Sequence, residues 1–180
     1  MAIRTKIQPT GRESPFAEDE FIVSKTDVHG KMVYVNEVFL RVSRFQEEDV
    51  LGQPHSMIRH PQMPRGVFKL MWDTIQSGKE IFAYVVNLCS DGDHYWVFAH
   101  VTPTFDARGN IIGFHSNRRK PDPKGLAMIQ KVYAEMSREE SRHAHPRAAA
   151  EASVALLNKM LQERGTTYAE MMFALWEGRA

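Results

Sequence analysis

Apolar residues along this chain fall into two rhythms, alternation by two and repetition at helical spacing, and the switches between them outline the elements. Phe21-Ile22-Val23-Ser24-Lys25-Thr26 is a short strand-like run, Asp27-Val28-His29-Gly30 turns it, and Met32-Val33-Tyr34-Val35 follows as a second run. Two such runs around a Gly-containing turn predict a hairpin. Asn36 is placed to cap a helix carrying Val38, Phe39 and Val42, because its short side chain accepts from orphan N–H groups. Glu47–Val50 predicts a further helical turn, stopped by Gly52 and Pro54, and the prolines at 54, 61 and 64 make that stretch irregular. Gly66–Ser77, with Val67, Leu70, Met71 and Ile75, predicts an amphipathic helix ended at Gly78. Three longer strand runs follow, Ile81–Leu88, His94–Thr104 and Ile111–Arg119. Asp/Gly/Asn-rich turns separate them. Two strands, grouped helices and three strands imply an α+β fold, a five-stranded antiparallel sheet with short helices on one side.

Outside that block the texture changes. Residues 1–17, polar and interrupted by Pro9, Gly11 and Pro15, read as a flexible arm, and 18–120 as the folded domain. From Pro121 the chain is helical, so 121–180 reads as an extension for signalling, dimerisation or packing. Asp122-Pro123 opens a helix with Leu126, Ile129, Tyr133 and Met136 on one seam. Residues 138–146 read as a charged link ended by Pro146, then Ala148–Glu163 as a helix stopped by Gly165. Thr167-x-x-Glu170 reads as a capping box. Behind it Tyr168, Met171, Met172, Leu175 and Trp176 share a face that either packs back on the domain or meets a partner.

Composition then removes classes of function. Lys+Arg 23 against Asp+Glu 22 leaves a formal charge of +1, with no electrostatic footprint for nucleic acid. A single cysteine excludes a disulfide framework and a Cys-rich zinc site. No apolar run reaches the roughly 18 residues of a membrane span, and the start lacks a signal-peptide core, so the chain reads as soluble and cytoplasmic. No P-loop, catalytic triad or paired-carboxylate signature is present, so it does not read as an enzyme.

Several runs carry a resemblance: Tyr34-Val35-Asn36-x-x-Phe39, Leu51-Gly52-Gln53-Pro54-His55, Arg59-His60-Pro61-x-Met63-Pro64, Phe68-x-x-Met71-Trp72, Asn87, Asp91-Gly92-Asp93-His94-Tyr95-Trp96-Val97 and Gly113-Phe114-x-Ser116-x-Arg118. Over about residues 20 to 120, the chain resembles the PAS domains of bacterial aerotaxis receptors of the Aer type. That resemblance implies non-covalent FAD binding and a sensory, redox-reporting role without turnover. It also implies a signalling partner or homodimer engaged through the sheet and C-terminal helices. Carried over by motif, Arg59, His60, Trp72, Asn36, Asn87 and Gln62 are the candidates for the flavin site. Arg59 offers a planar fork of donors to a pyrophosphate or to flavin oxygens. Asn36 and Asn87 each present a donor and an acceptor to the flavin edge, and Trp72 offers a surface to a ring. The chain departs from the family pattern at Gln62, usually Asp, and at Ile81, usually Trp. Haem through His60 or His55, and a domain with no tight cofactor, are the alternative readings. Cys89 lies after the third strand rather than in the helical stretch where light-driven adduct chemistry needs a thiol.

Overall fold

The computed structural model describes residues 7–178. Strands β1 (Ile22–Thr26), β2 (Met32–Val35), β3 (Ile81–Leu88), β4 (His94–Phe105) and β5 (Ile111–Arg119) form one antiparallel sheet in the order β2-β1-β5-β4-β3. The predicted α+β fold with its five-stranded antiparallel sheet is observed. The last strand is therefore placed at the centre, where β5 pairs with β1 (Ser24 opposite Ser116) and with β4 (Ala99 opposite Arg118).

Alternation assigns the two faces, since successive side chains on a strand point to opposite sides. Ser24, Thr26, Val85, Asn87, Ala99, Val101, Phe114, Ser116 and Arg118 share the inner face around one cavity. Phe82, Tyr84, Trp96, Phe98 and His100 occupy the outer face in a run of ring contacts. The helices between β2 and β3 are α1 (Glu37–Ser43), α2 (Glu47–Val50), a 3₁₀ turn over His55–Ile58, and α3 (Arg65–Gln76). They bring Phe39, Val42, Val50, Ile58, Val67 and Ile75 into the core, and the loop before α3 adds Met63.

The tail forms α4 (Pro123–Glu140), α5 (Pro146–Glu163) and α6 (Tyr168–Trp176). The Asp122 carboxylate accepts from Gly125 N at 2.8 Å at the start of α4, and Thr167 with Glu170 makes the expected capping box on α6. The stripe on α6 packs back on the domain: Met171, Met172 and Leu175 are buried, and Trp176 stacks on Phe98 with centroids 4.7 Å apart. Helix α5 packs against α3, and a Cβ added at Gly66 would lie 2.1 Å from the Ser153 hydroxyl oxygen. Only glycine permits that approach.

Two expectations are corrected. Pro146 opens α5 rather than ending a link, because at the first helical position its missing N–H costs nothing; α4 correspondingly runs on to Glu140. Of the expected flexible arm, residues 1–6 lie outside the described residues, and most of the rest is anchored. Thr10 N donates to Gly92 O at 2.8 Å, Ser14 N to His94 O at 2.7 Å, and His94 N to Arg12 O at 2.9 Å. Phe16 is buried beyond them. The Asp93 carboxylate takes the Thr10 hydroxyl, Arg44 and Arg12, which together hold its pKa down to about 2.

Candidate functional site

A cavity of about 180 Å³ lies between the inner face of the sheet and α3. Its walls are apolar: Val85, Ala99, Val101 and Phe114 from the strands, Phe68, Met71, Trp72 and Ile75 from α3. Alternation has also placed Ser24, Asn87, Ser116 and Arg118 on this face, with His55 from the 3₁₀ turn beside Arg118. The hydrogen-bond accounting on this face does not close. Ser116 Oγ and Arg118 Nη1 are buried without a partner, and the Asn87 side chain has only the buried Tyr95 hydroxyl beside it. Leaving such a group unpaired costs about 1–3 kcal/mol each, and unpartnered donors around a void are what a ligand's acceptors satisfy.

Arg118 dominates the electrostatics. It is 4% exposed and has no ion-pair partner among the described residues. Its Nη2 donates to Ser24 Oγ at 2.8 Å and stands 2.6 Å from His55 Nε2. Burial lowers the guanidinium pKa to about 10, still a cation at neutral pH. Burial and the adjacent Arg118 charge push the His55 imidazole down to about 3. His55 is thus neutral, and with Nε2 accepting, the ring proton sits on Nδ1.

A second, more open cleft of about 650 Å³ lies between the 59–65 loop and the end of α4 with the link after it. Arg59, His60, Arg65, Glu140 and His143 line it, and Ser56 lines both cavities. Glu140 ties three elements together there. Its Oε1 accepts from Gly66 N, at the start of α3, at 2.9 Å and from Ser153 Oγ on α5 at 2.7 Å.

Of the candidates from the sequence, Asn87 and Trp72 line the first cavity. Trp72 contacts Phe114 edge-on at 5.4 Å and reaches under the β1–β2 turn, where Gly30 has positive φ and a Cβ would fall 2.8 Å from the indole. Arg59 and His60 line the second cleft instead. Arg59 Nη2 donates to Met63 O at 2.8 Å and its guanidinium lies over Phe68 at 4.5 Å; burial and nearby Arg65 lower its pKa. Its backbone bridges to Asn87, so the loop and strand meet through main chain. His60 is buried beside His94, and burial followed by that neighbour lowers its pKa. Gln62 is exposed. Asn36 lies away from both: Oδ1 accepts from Phe39 N and Val23 N at 3.0 Å each, and Nδ2 donates to Phe21 O at 2.8 Å, a complete structural role. Cys89 is buried behind β3, its thiol donating to Val42 O. Arg118, Ser116, Ser24 and His55 were not assigned to the flavin site from sequence, although Arg118 and Ser116 share parity with Phe114, which marks them as inward.

A sheet in this order, with helices inserted between its second and third strands over an inner cavity, has known counterparts. Residues 32–118 match the family described as PAS fold. The chain carries a PAS domain. The Escherichia coli K12 aerotaxis receptor is 35% identical over 124 residues, 69% of this chain and 24% of the receptor. The nitrogen fixation regulatory protein of Klebsiella pneumoniae is 26% identical over 97 residues, 54% of this chain and 20% of that protein. The chain thus spans a quarter or less of the length of these relatives. Among solved structures, a light-oxygen-voltage domain studied with a flavin analogue superposes with a TM-score of 0.55 at 17% identity, covering 64% of this chain and 86% of that one. The light-state LOV domain of the photoreceptor Aureochrome1 gives 0.52 at 21% identity, covering 68% and 93%. At those identities the structural likeness shows the shared PAS fold. No helix among the described residues is long and apolar enough to cross a membrane.

Proposed function

We propose that this PAS domain is a cytoplasmic sensor, not a catalyst, that binds FAD without a covalent bond and reports redox or oxygen status to a signalling partner or a second copy of the chain. The observation that carries the reading is the apolar cavity with buried donors in its lining, Asn87 Nδ2, Ser116 Oγ and Arg118 Nη1. A flavin ring is flat and apolar on its faces and bears carbonyl and ring-nitrogen acceptors along one edge, so this donor set fits it. The aerotaxis receptor and the flavin-analogue PAS relative support the same choice. Asn87, Ser116 and Arg118 would hold the ring edge and Trp72 its face. Because Ser56 borders both cavities, Arg59 and Arg65 in the second cleft would take the phosphates. Bound flavin would supply a reversible two-electron couple. The chain's own part is to exclude water, hold the ring edge and pass altered hydrogen bonding at Asn87 through the Arg59 backbone bridge toward Glu140 and the tail.

Haem fits less well: His55 Nε2 is engaged with Arg118, and His60 lines the other cleft. A cavity of about 180 Å³ is smaller than the roughly 300–1,000 Å³ of pockets for drug-sized ligands, so the ring enters with a shift of Trp72 or its neighbours. That same volume favours a second reading, an interaction module with no tight cofactor. One absorption spectrum separates the three. Flavin bands near 450 nm in the purified chain, or regained on adding FAD, support the first; a Soret band means haem. No chromophore and no FAD uptake means the interaction module.

A further inference from the structure

The second cleft, at about 650 Å³, falls within the roughly 300–1,000 Å³ of pockets for small ligands. One wall belongs to the sheet domain and carries Arg59, Arg65 and His60. The other belongs to the tail: the last turns of α4 with Ser137 and Glu140, the link through Ala144, and the first turn of α5. Two helix N-termini border the cleft, α3 through Arg65 and α5 through Pro146, and each brings a positive dipole end. At α3 the Glu140 carboxylate takes the anion's place by accepting from Gly66 N; at α5 no N-cap side chain does so. His60, 3% exposed, adds a donor. Its Nδ1 accepts from Gln62 N at 3.3 Å, which leaves the ring proton on Nε2, and that N–H has no acceptor among the described residues. Glu140 Oε1 is engaged by Gly66 N and Ser153 Oγ, while its Oε2 has no donor among the described residues. Two guanidinium groups, a buried N–H and a helix N-terminus call for an anion, and a carboxylate oxygen beside them calls for a hydroxyl or amino donor. A nucleoside diphosphate carries both kinds of group. A bare inorganic anion carries only the first.

We propose that the tail forms one half of a nucleoside diphosphate site, and that a nucleotide bound there clamps α4 and α5 to the sheet domain. The α5 N-terminus, Arg59 and Arg65 take the diphosphate, and Glu140 Oε2 accepts from a ribose hydroxyl or the purine amino group. The inference deepens the flavin reading above and rests on it for the ring, since ADP is the part of FAD beyond the ribityl chain. Ser56, which borders both cavities, marks where such a ligand crosses between them. No residue of the tail lines the first cavity. A ring held there touches none of α4, α5 or α6, so it is the nucleotide half that reaches the tail. The tail thereby sets which flavin is kept, the dinucleotide over riboflavin.

The test is calorimetric titration of the full chain with ADP, riboflavin and FAD, together with amide hydrogen exchange of the ADP complex. ADP alone is expected to bind and to slow exchange at the start of α5, and FAD to bind at least about tenfold more tightly than riboflavin. Ala144 is exposed on the tail wall, so replacing it changes the charge of the cleft without touching the core. Ala144→Glu should bind ADP about tenfold more weakly than Ala144→Lys, a dependence on sign that a merely structural role of the link would not produce. A chain that takes up no ADP at millimolar concentration overturns the proposal. So does ADP binding that leaves α5 exchange unchanged, or equal ADP affinity in the two Ala144 variants. The flavin reading fails separately: ADP uptake by a chain that binds neither riboflavin nor FAD overturns that reading and leaves the nucleotide site standing. Equal affinity for riboflavin and FAD overturns this inference alone.

Discussion

The two faces of the sheet obey the same alternation and reach opposite ends. On the outer face, aromatic side chains from β3 and β4 meet the tail: Phe98 stacks on Trp176, Phe82 meets Phe173 at 4.9 Å, and the Tyr133 hydroxyl donates to Tyr84 O at 2.8 Å. On the inner face the strands present small residues such as Ala99 and Ser116 opposite α3, and a void remains with a cation in its wall. Packed aromatic contact gives stability. A void lined by unpaired donors forgoes stability, because each orphan and each missing contact is a cost in the ligand-free state. The contrast assigns cohesion to the outer face, and the proposed function places recognition on the inner one.

The comparison breaks most visibly at Phe98, which is 5% exposed on the outer face. Phe98→Ala is expected to lower stability by about 3–5 kcal/mol, read by urea unfolding, while the folded fraction keeps its FAD affinity within about threefold. An equal loss of affinity would show that the faces are not separable. Asn87→Ala on the inner face should do the reverse. Its amide has only the Tyr95 hydroxyl beside it, so stability should stay within about 1 kcal/mol while FAD affinity falls by about 1–3 kcal/mol, measured by fluorescence titration of the flavin.

Acid should also attack the inner face. His55 has a pKa of about 3 in the folded chain against an ordinary value of 6.5. Between those values the unfolded chain binds a proton that the native state refuses, so stability falls as pH drops from about 6.5 toward 3. Unfolding midpoints across that window should slope for the wild type and slope less for His55→Gln, the remaining slope coming from buried His60 and the paired carboxylates. A smaller effect is expected at the seam between domain and tail. Glu140→Gln weakens the acceptor for Gly66 N and Ser153 and should cost about 0.5–1.5 kcal/mol. Faster amide exchange should then appear in α5 before it appears in the strands.

Much of this architecture is legible in local signals. Alternation marked all five strands, Asn36, Asp122-Pro123 and Thr167-x-x-Glu170 marked helix starts, and Gly78 and Gly165 marked stops. The failures were failures of locality. Residues 8–16 look loose because their partners, Gly92, Asp93 and His94, lie about eighty positions away. Pro146 reads equally well as a stop and as a first helical residue, and the packing of α5 on α3 decides. At the site, Asn87 and Trp72 were readable only through the motif resemblance, as Arg59 and His60 were. Arg118 near a strand end looks like surface, and only its parity with Phe114 and Ser116 turns it inward. Arg59 and His60 were recognised by motif, but the prolines around them turn their side chains into the cleft beside the tail.

Gly66 gives that seam a practical use. With Ser153 Oγ 2.1 Å from any added Cβ and the Ala150 carbonyl at 3.2 Å, a methyl at residue 66 must turn the Ser153 hydroxyl away from Glu140 and press on the α5 backbone. Gly66→Ala would act as a wedge that prises α5 off α3 while leaving every residue lining the first cavity unchanged. It amounts to a one-carbon key for loosening the tail from the sheet domain without touching the cavity lining.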